Sequence, residues 1–292
     1  MFTDYLSEQQ TFVDNAVYLS KRCFYFFWSF CVASWISWGF KPLIYGEYRF
    51  PINVWLPFDA FHSTIVFTLV YAFVFIGVGN AANTSAAVDT LIPGLLCHAA
   101  AQIQILKDNL VHLDERTTEE VNRTYKQLNM DRIQLKNKLL FEKVVDCVKH
   151  YKAIKDFVDQ IEDSYNLVLF TQLCGSSLVI CICLWRLVIV KPLSITFFQM
   201  LVFLFTMNLE IFLFCYYGSV LYKESVTINE AIYMGKWYEY DIKSKKALLI
   251  LMEGVKRPMQ ITAGKILYVS LELFMGILKK SYSIFAVLKN FT

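Results

Sequence analysis

"LELFMGILKKSYSIFAVLKNFT", Leu271 to Thr292, closes the chain. Its leucines, phenylalanines and valine suit hydrocarbon, yet Glu272, Lys279 and Lys280 interrupt the run. At 100° per residue, Glu272, Gly276, Lys279, Ser283, Val287 and Asn290 fall within an arc of about 80° on one helix face, with Lys280 beside it. Phe274, Ile277, Leu278, Phe285 and Leu288 take the opposite face. A charge at the bilayer centre costs at least about 2.5 kcal/mol, so the polar stripe needs either water or partners. Two readings stand: the stripe borders an aqueous pore or cavity, or its charges pair with adjacent helices or reach an interface. One helix cannot enclose a path for water. The pore reading therefore requires several subunits around an axis, each donating its terminal helix.

The rest of the chain also points to a membrane. Of 292 residues 56% are hydrophobic and 16% aromatic, and the mean hydropathy is +0.42, above the apolar share of an ordinary soluble domain. With only 11 Gly and 6 Pro, long helices are favoured over the short alternating strands of a β-barrel. The expected fold class is an all-α membrane protein, a multi-span helical bundle with cytoplasmic helical extensions. A net charge of +3 is too small to suggest nucleic acid.

Hydropathy divides the chain into an N-terminal segment 1–23, a membrane helix 24–40, a loop 41–60 and a long helix 61–106 that outruns the bilayer. Pro93 is expected to bend that helix. A charged helical region 107–165 follows, with heptad-like apolar positions Leu139, Val144 and Val148. These seams either pack on equivalent helices of other subunits or fold against their own chain. Membrane helices 166–190 and 193–222, a polar block 223–264 and a terminal helix 265–292 complete five spans. Lys and Arg concentrate in 107–152 and 223–256, which places those regions, and the N-terminus, in the cytoplasm. After five spans the C-terminus is outside.

Few residues suggest chemistry. Cys31, Cys97, Cys174, Cys181, Cys183 and Cys215 sit in apolar runs without C-x-x-C spacing and read as small core hydrophobes. The histidines are scattered, so no metal or other cofactor is expected. An enzyme would cluster nucleophiles, bases or metal ligands, and a transporter would show repeats with broken helices; neither pattern is visible. Sequons at Asn83, Asn122 and Asn290 fall in a helix, in the cytoplasm and against the membrane, and none is expected to carry a glycan. Glu210, alone in an apolar helix, is expected to have a buried partner.

Aromatic residues crowd the outer halves of the spans: Trp35, Trp38 and Phe40; Phe61, Phe67, Tyr71 and Phe75; Phe197, Phe198 and Phe203. With Ser34 and Thr68 as isolated polar groups, they suit a pocket for a small apolar molecule, or else they are packing and interface belts.

Two stretches carry a resemblance. "LEIFLFCYYGSVLYKESVTINEAIYMGKWYEY" and "KKALLILMEGVKRPMQITAGKILYVSLELFMGILKKSYSIFAVLKN" resemble the C-terminal half of insect odorant receptors, in their C-Y-x-G, A-I-Y-x-x-x-W, R-P-M, A-G-K and S-Y-S-x-F elements and their order. The likeness extends more faintly through "PINVWLPFDAF" and "DTLIPGLLCHAAAQIQILKDNL". That family has seven spans, so the five here would match its third to seventh, and the chain is expected to be N-terminally incomplete. The resemblance implies an odorant receptor subunit of a ligand-gated cation channel, a tetramer with a co-receptor and like subunits, in the plasma membrane of sensory neurons. It implies a small volatile ligand, lipid contact, no nucleic acid and no enzyme activity. Ser34, Trp38, Phe67, Tyr71 and Phe75 become candidate ligand-binding residues, and Lys279, Ser283, Val287 and Asn290 candidate pore-lining residues. The resemblance puts Val287 at the outer constriction with Asn290 close by. A gustatory-type channel or a truncated, non-conducting subunit is the alternative.

Overall fold

The computed structural model describes residues 7–40, 50, 54–57, 63–124 and 131–290, with side chains described from Gln9 to Ala286 within those ranges. The elements in order are α1 (Ser7–Gly39), α2 (Thr64–Val111), α3 (Leu113–Thr124), α4 (Arg132–Ile189), α5 (Ile195–Val226), α6 (Ile228–Met234), a 3-10 turn (Trp237–Glu239), α7 (Ile242–Val255), strands β1 (Thr262–Ala263) and β2 (Leu267–Tyr268), and α8 (Leu271–Asn290). Each segment expected to cross the membrane lies largely within one of these helices. Among the described residues three stretches are long and apolar enough to do so by length and composition alone: Thr64–Val111, Arg132–Ile189 and Ile195–Met234. α1 dilutes its apolar run with serines, tryptophans and the Lys21–Arg22 pair, and α8 carries Glu272 and two lysines.

Several helices outrun the limits that hydropathy suggests. α1 starts at Ser7, well before its apolar run. α4 carries both the charged stretch and the apolar stretch in one unbroken helix of 58 residues. The terminal helix, by contrast, starts later than expected, at Leu271 rather than at residue 265. The intervening residues turn back on themselves: Gly264 and Lys265 take φ of +62° and +57°, and β1 pairs antiparallel with β2 through Thr262–Tyr268 and Ala263–Leu267.

The chain forms two compact units. The first gathers residues up to Leu19 with Gly94–Phe170 and Cys215–Leu271. On α4 its buried seam is Leu140, Val144, Cys147, Tyr151, Ile154, Val158 and Ile161, spaced four, three, four, three, four and three apart. Leu139 and Val148, expected on that seam, flank it half-buried. The seam is buried by the chain itself, which favours the second of the two readings of these positions. Polar contacts fasten the rim. Lys107 bonds Glu224, and Arg116 Nη2 lies 2.6 Å from Asp108 Oδ2, which also accepts from Gln9 Nε2 at 2.9 Å. Lys136 and Lys143 reach Asp114 and Glu120 at 2.8 and 2.7 Å. Asp241 caps α7 by accepting from the Lys243 amide at 3.0 Å.

The backbone of α5 comes close to that of Val269, just after β2, in this unit. A Cβ on Gly218 would collide with the Val269 carbonyl oxygen, so only glycine fits there. The next residue, Ser219, accepts the Leu271 amide at 2.9 Å and so holds the first residue of α8.

The second unit comprises Ser20–Pro93, Thr171–Phe214 and Glu272–Thr292. Ile65, Leu69, Phe73 and Ile76 of α2 are exposed by 73, 67, 80 and 59%, at spacings that make one face. An apolar face of that kind is at rest against lipid or another protein surface, not water. Many polar side chains in these helices bond back to their own backbone. Thr68, Thr84, Thr90, Ser177, Thr206 and Asn208 donate to the carbonyl four residues earlier, at 2.6 to 2.9 Å. Cys97, Cys147, Cys183 and Cys215 are buried and all eight cysteines are free thiols; Cys174, expected in the core, is exposed.

Candidate functional site

The second unit contains a cavity of about 310 Å³ walled by four helices. α1 supplies Phe27, Cys31, Ser34, Trp35 and Trp38, at the three- and four-residue steps that keep side chains on one face. α2 contributes Phe75, Val78, Ala82, Ser85 and Asp89 at the same steps. Gln172 of α4 and Phe203, Thr206, Met207 and Glu210 of α5 close the remaining wall. The lining is therefore mainly aromatic, with polar atoms in two groups.

One polar group is hydroxylic. Ser34 Oγ lies 3.5 Å from Thr206 Oγ1, and both side chains are buried. The other is acidic. Glu210 is 2% exposed and accepts from Gln172 Nε2 and, at 3.3 Å, from Ser176 Oγ. This is the buried partner expected for Glu210, supplied by α4. Asp89 lines the same cavity from α2.

The aromatic wall is held in place by directed contacts. Trp35 stacks on Phe75 with centroids 4.5 Å apart, and its indole N–H donates to the Phe75 carbonyl at 2.9 Å. Gly79, one turn further along α2, makes room for that indole: a Cβ there would stand 2.6 Å from the Trp35 ring. Trp38 tilts against Phe203 at 6.1 Å.

Of the five residues expected to bind ligand, the structure brings Ser34, Trp38 and Phe75 onto the cavity. Phe67 and Tyr71 are not part of its lining. They continue the aromatic stack along α2, Tyr71 lying 6.2 Å from Phe75 and Phe67 6.0 Å from Tyr71, and the Tyr71 hydroxyl donates to the Gly39 carbonyl. Thr68 spends its hydroxyl on Thr64. Trp35, one of the aromatic residues expected to suit a pocket, also lines the cavity, whereas Asp89 and Gln172 are additions from the structure. Asp89 had a signal, since it is the first charge to end the long apolar run of α2. Gln172 had none, because only the packing of the four helices tells which face is inward.

On α8, Glu272, Lys279 and Ser283 are exposed while Phe274, Ile277 and Leu278 are half-buried and Ser281 is buried. Phe274 meets Phe212 of α5 edge-on at 5.6 Å. The helix backbone continues through Val287 and Asn290, whose side chains lie outside the described residues. Asn83, the sequon inside α2, accepts from Trp28 Nε1 at 2.6 Å and donates to the Gly79 carbonyl at 2.8 Å.

Residues 4–282 match the family model described as 7tm Odorant receptor. The chain belongs to this odorant receptor family. Odorant receptor Or1 of Anopheles gambiae is 28% identical over 268 residues, which cover 87% of this chain and 63% of the relative. Odorant receptor 33b of Drosophila melanogaster is 25% identical over 268 residues, covering 90% of this chain and 66% of the relative. The chain thus spans less than two thirds of the length of either relative. Among solved structures, the insect olfactory receptor OR5 from Machilis hrabei in complex with eugenol superposes with a TM-score of 0.79 at 14% identity, over 97% of this chain and 69% of that one. At that identity the likeness establishes a shared fold. This is a multi-pass helical membrane protein of the odorant receptor family, and its relatives are receptors rather than enzymes.

Proposed function

We propose that this odorant receptor family member is a subunit of a ligand-gated cation channel. A small, mainly apolar volatile molecule enters the cavity between α1, α2, α4 and α5, and a pore lined by α8 opens. The observation that carries the reading is the cavity itself: about 310 Å³, walled by Trp35, Trp38, Phe27, Phe75 and Phe203, with a few polar groups to orient a guest. Shape and dispersion supply most of the affinity of such a site.

Ligand favours the open state by contacting that state better than the closed one. The contact between Phe212 and Phe274 supports a route for this preference, because the helix that carries Glu210 and Thr206 also touches the terminal helix. Segments 24–40, 61–106, 166–190 and 193–222 and the terminal helix α8 cross the plasma membrane of a sensory neuron, with 107–165 and 223–264 in the cytoplasm. The exposed Glu272, Lys279 and Ser283 face water in an assembly of four subunits that includes a co-receptor, and Val287 and Asn290 lie further along the pore.

The test is expression of the chain with and without a co-receptor, recording currents evoked by a panel of volatiles. Eugenol is a sensible first member, being the ligand of the Machilis hrabei receptor. Odorant-evoked current should appear, and replacing Val287 or Asn290 should alter its ion selectivity. Unchanged selectivity in both variants would remove α8 from the pore.

A further inference from the structure

The cavity is chemically lopsided in a way that a purely apolar guest does not use. Its wall carries two carboxyl groups, Asp89 and Glu210, and no lysine, arginine or histidine. Both donors to Glu210, Gln172 and Ser176, reach the same oxygen, Oε1. Among the described residues no hydrogen bond reaches Glu210 Oε2, although the side chain is almost fully buried. Asp89, across the cavity wall on α2, likewise has no hydrogen bond or ion pair among the described residues.

A carboxyl group drawn away from water without its full set of donors is costly and calls for a proton or a cation; Glu210 is almost fully buried and Asp89 half-buried. The remainder of the lining welcomes the latter. Aromatic faces attract cations through their quadrupole, and Trp does so best; Trp35, Trp38 and Phe75 line the same space. Carboxyl groups and ring faces both repel an anion. A hydrocarbon guest gains from the rings and nothing from the acids.

We infer that this cavity takes a small apolar body bearing a protonated amine, with the ammonium seated at Asp89 and Glu210 and the hydrocarbon against Trp35, Trp38 and Phe75. The inference rests on the reading of the cavity as the odorant site and names the class of odorant. An alkyl amine titrates near a lysine side chain, about 10.4, so it arrives charged at neutral pH and brings the counter-charge that the wall lacks. Its three N–H donors match the unfilled oxygens.

Three probes of nearly equal shape separate the alternatives: benzylamine, benzyl alcohol and ethylbenzene. Binding to the detergent-solubilised 292-residue chain is measured directly, by calorimetry and by saturation-transfer NMR, beside evoked currents. Benzylamine should bind at least about tenfold tighter than ethylbenzene, as a charge-assisted contact with cation–π support provides. Asp89→Asn should abolish that preference and leave ethylbenzene unchanged. Glu210→Gln keeps side-chain shape while removing the charge, and it should weaken benzylamine in the same sense. Benzylamine binding no tighter than ethylbenzene, a preference for benzyl alcohol, or a benzylamine preference that survives both substitutions would each overturn the inference. In those cases binding of the neutral probes would leave the odorant reading standing. Failure of all three probes and of eugenol to bind or to gate would overturn both.

Discussion

Trp35 lies nearly parallel to Phe75, 19° between ring planes, and its indole nitrogen hydrogen-bonds the backbone carbonyl of that same residue. One side chain of α1 is thus locked to both the ring and the main chain of α2. Gly79 is the cradle for this lock, and Gly77 on the same helix has nothing within 4 Å of the place a Cβ would take. Alanine is worth roughly 1 kcal/mol more than glycine in a helix interior, so propensity alone favours both substitutions. Gly77→Ala should therefore be neutral or slightly stabilising, whereas Gly79→Ala should displace the indole and raise the odorant concentration needed for half-maximal current by about tenfold, a loss of about 1.4 kcal/mol. Dose–response curves at matched surface expression provide the check, and equal curves for the two variants would count against the lock.

Phe212→Ala removes the edge-to-face contact with Phe274 without touching the cavity lining. Ligand binding should stay within about twofold of the parent while maximal current falls, as expected when a coupling contact worth about 0.5–1.5 kcal/mol is lost. Binding and current measured on the same preparation separate the two effects.

Ser225 is 1% exposed and its Oγ accepts the Met259 amide at 2.7 Å. Ser225→Ala leaves a buried N–H without its acceptor, at a cost of about 1–3 kcal/mol. The melting temperature of the solubilised chain should fall, and glycine at the same position should not restore it.

Burial pushes the His150 imidazole below its ordinary range, with Nε2 3.1 Å from Gln102 Oε1. The fold therefore prefers the neutral ring. With a folded value below the unfolded one of about 6.5, the stabilisation is complete above that pH and is lost as pH falls through the depressed folded value. Melting temperature should decline as the solution is acidified from about pH 7 to pH 5, and His150→Gln, which cannot titrate, should flatten that slope.

Long helices were legible because they depend on runs of residue type. Pro93 did not end α2, and Glu210 announced its need for a partner by being the lone acid in an apolar helix. Aromatic crowding points to Trp38 and Phe75, with Ser34 as the isolated polar group beside them, and all three line the cavity. Phe67 and Tyr71 share that crowding but stack along α2 beyond the lining, a distinction of rotation about the helix axis that hydropathy does not carry. In lipid the outward face is as apolar as the inward one, so periodicity loses the contrast that marks a core in water. Outside lipid the contrast returns: of the expected α4 positions Val144 lies on the buried seam, while Leu139 and Val148 flank it one residue from Leu140 and Cys147. α8 starts later than hydropathy suggests because the seven-residue hairpin Thr262–Tyr268, turning at Gly264 and Lys265, has strands of two residues, too short to print a strand pattern.

The hydroxyls and amides that close on carbonyls one turn back have a consequence for biogenesis. A threonine whose O–H is already paired within its own helix presents mostly its methyl group to the surroundings, so α2, α4 and α5 leave the translocation machinery as self-sufficient rods. Each can partition into lipid before it meets a neighbour. Later assembly is left to groups that no single rod can satisfy, among them the carboxyl of Glu210, which finds its donors only when α4 and α5 come side by side.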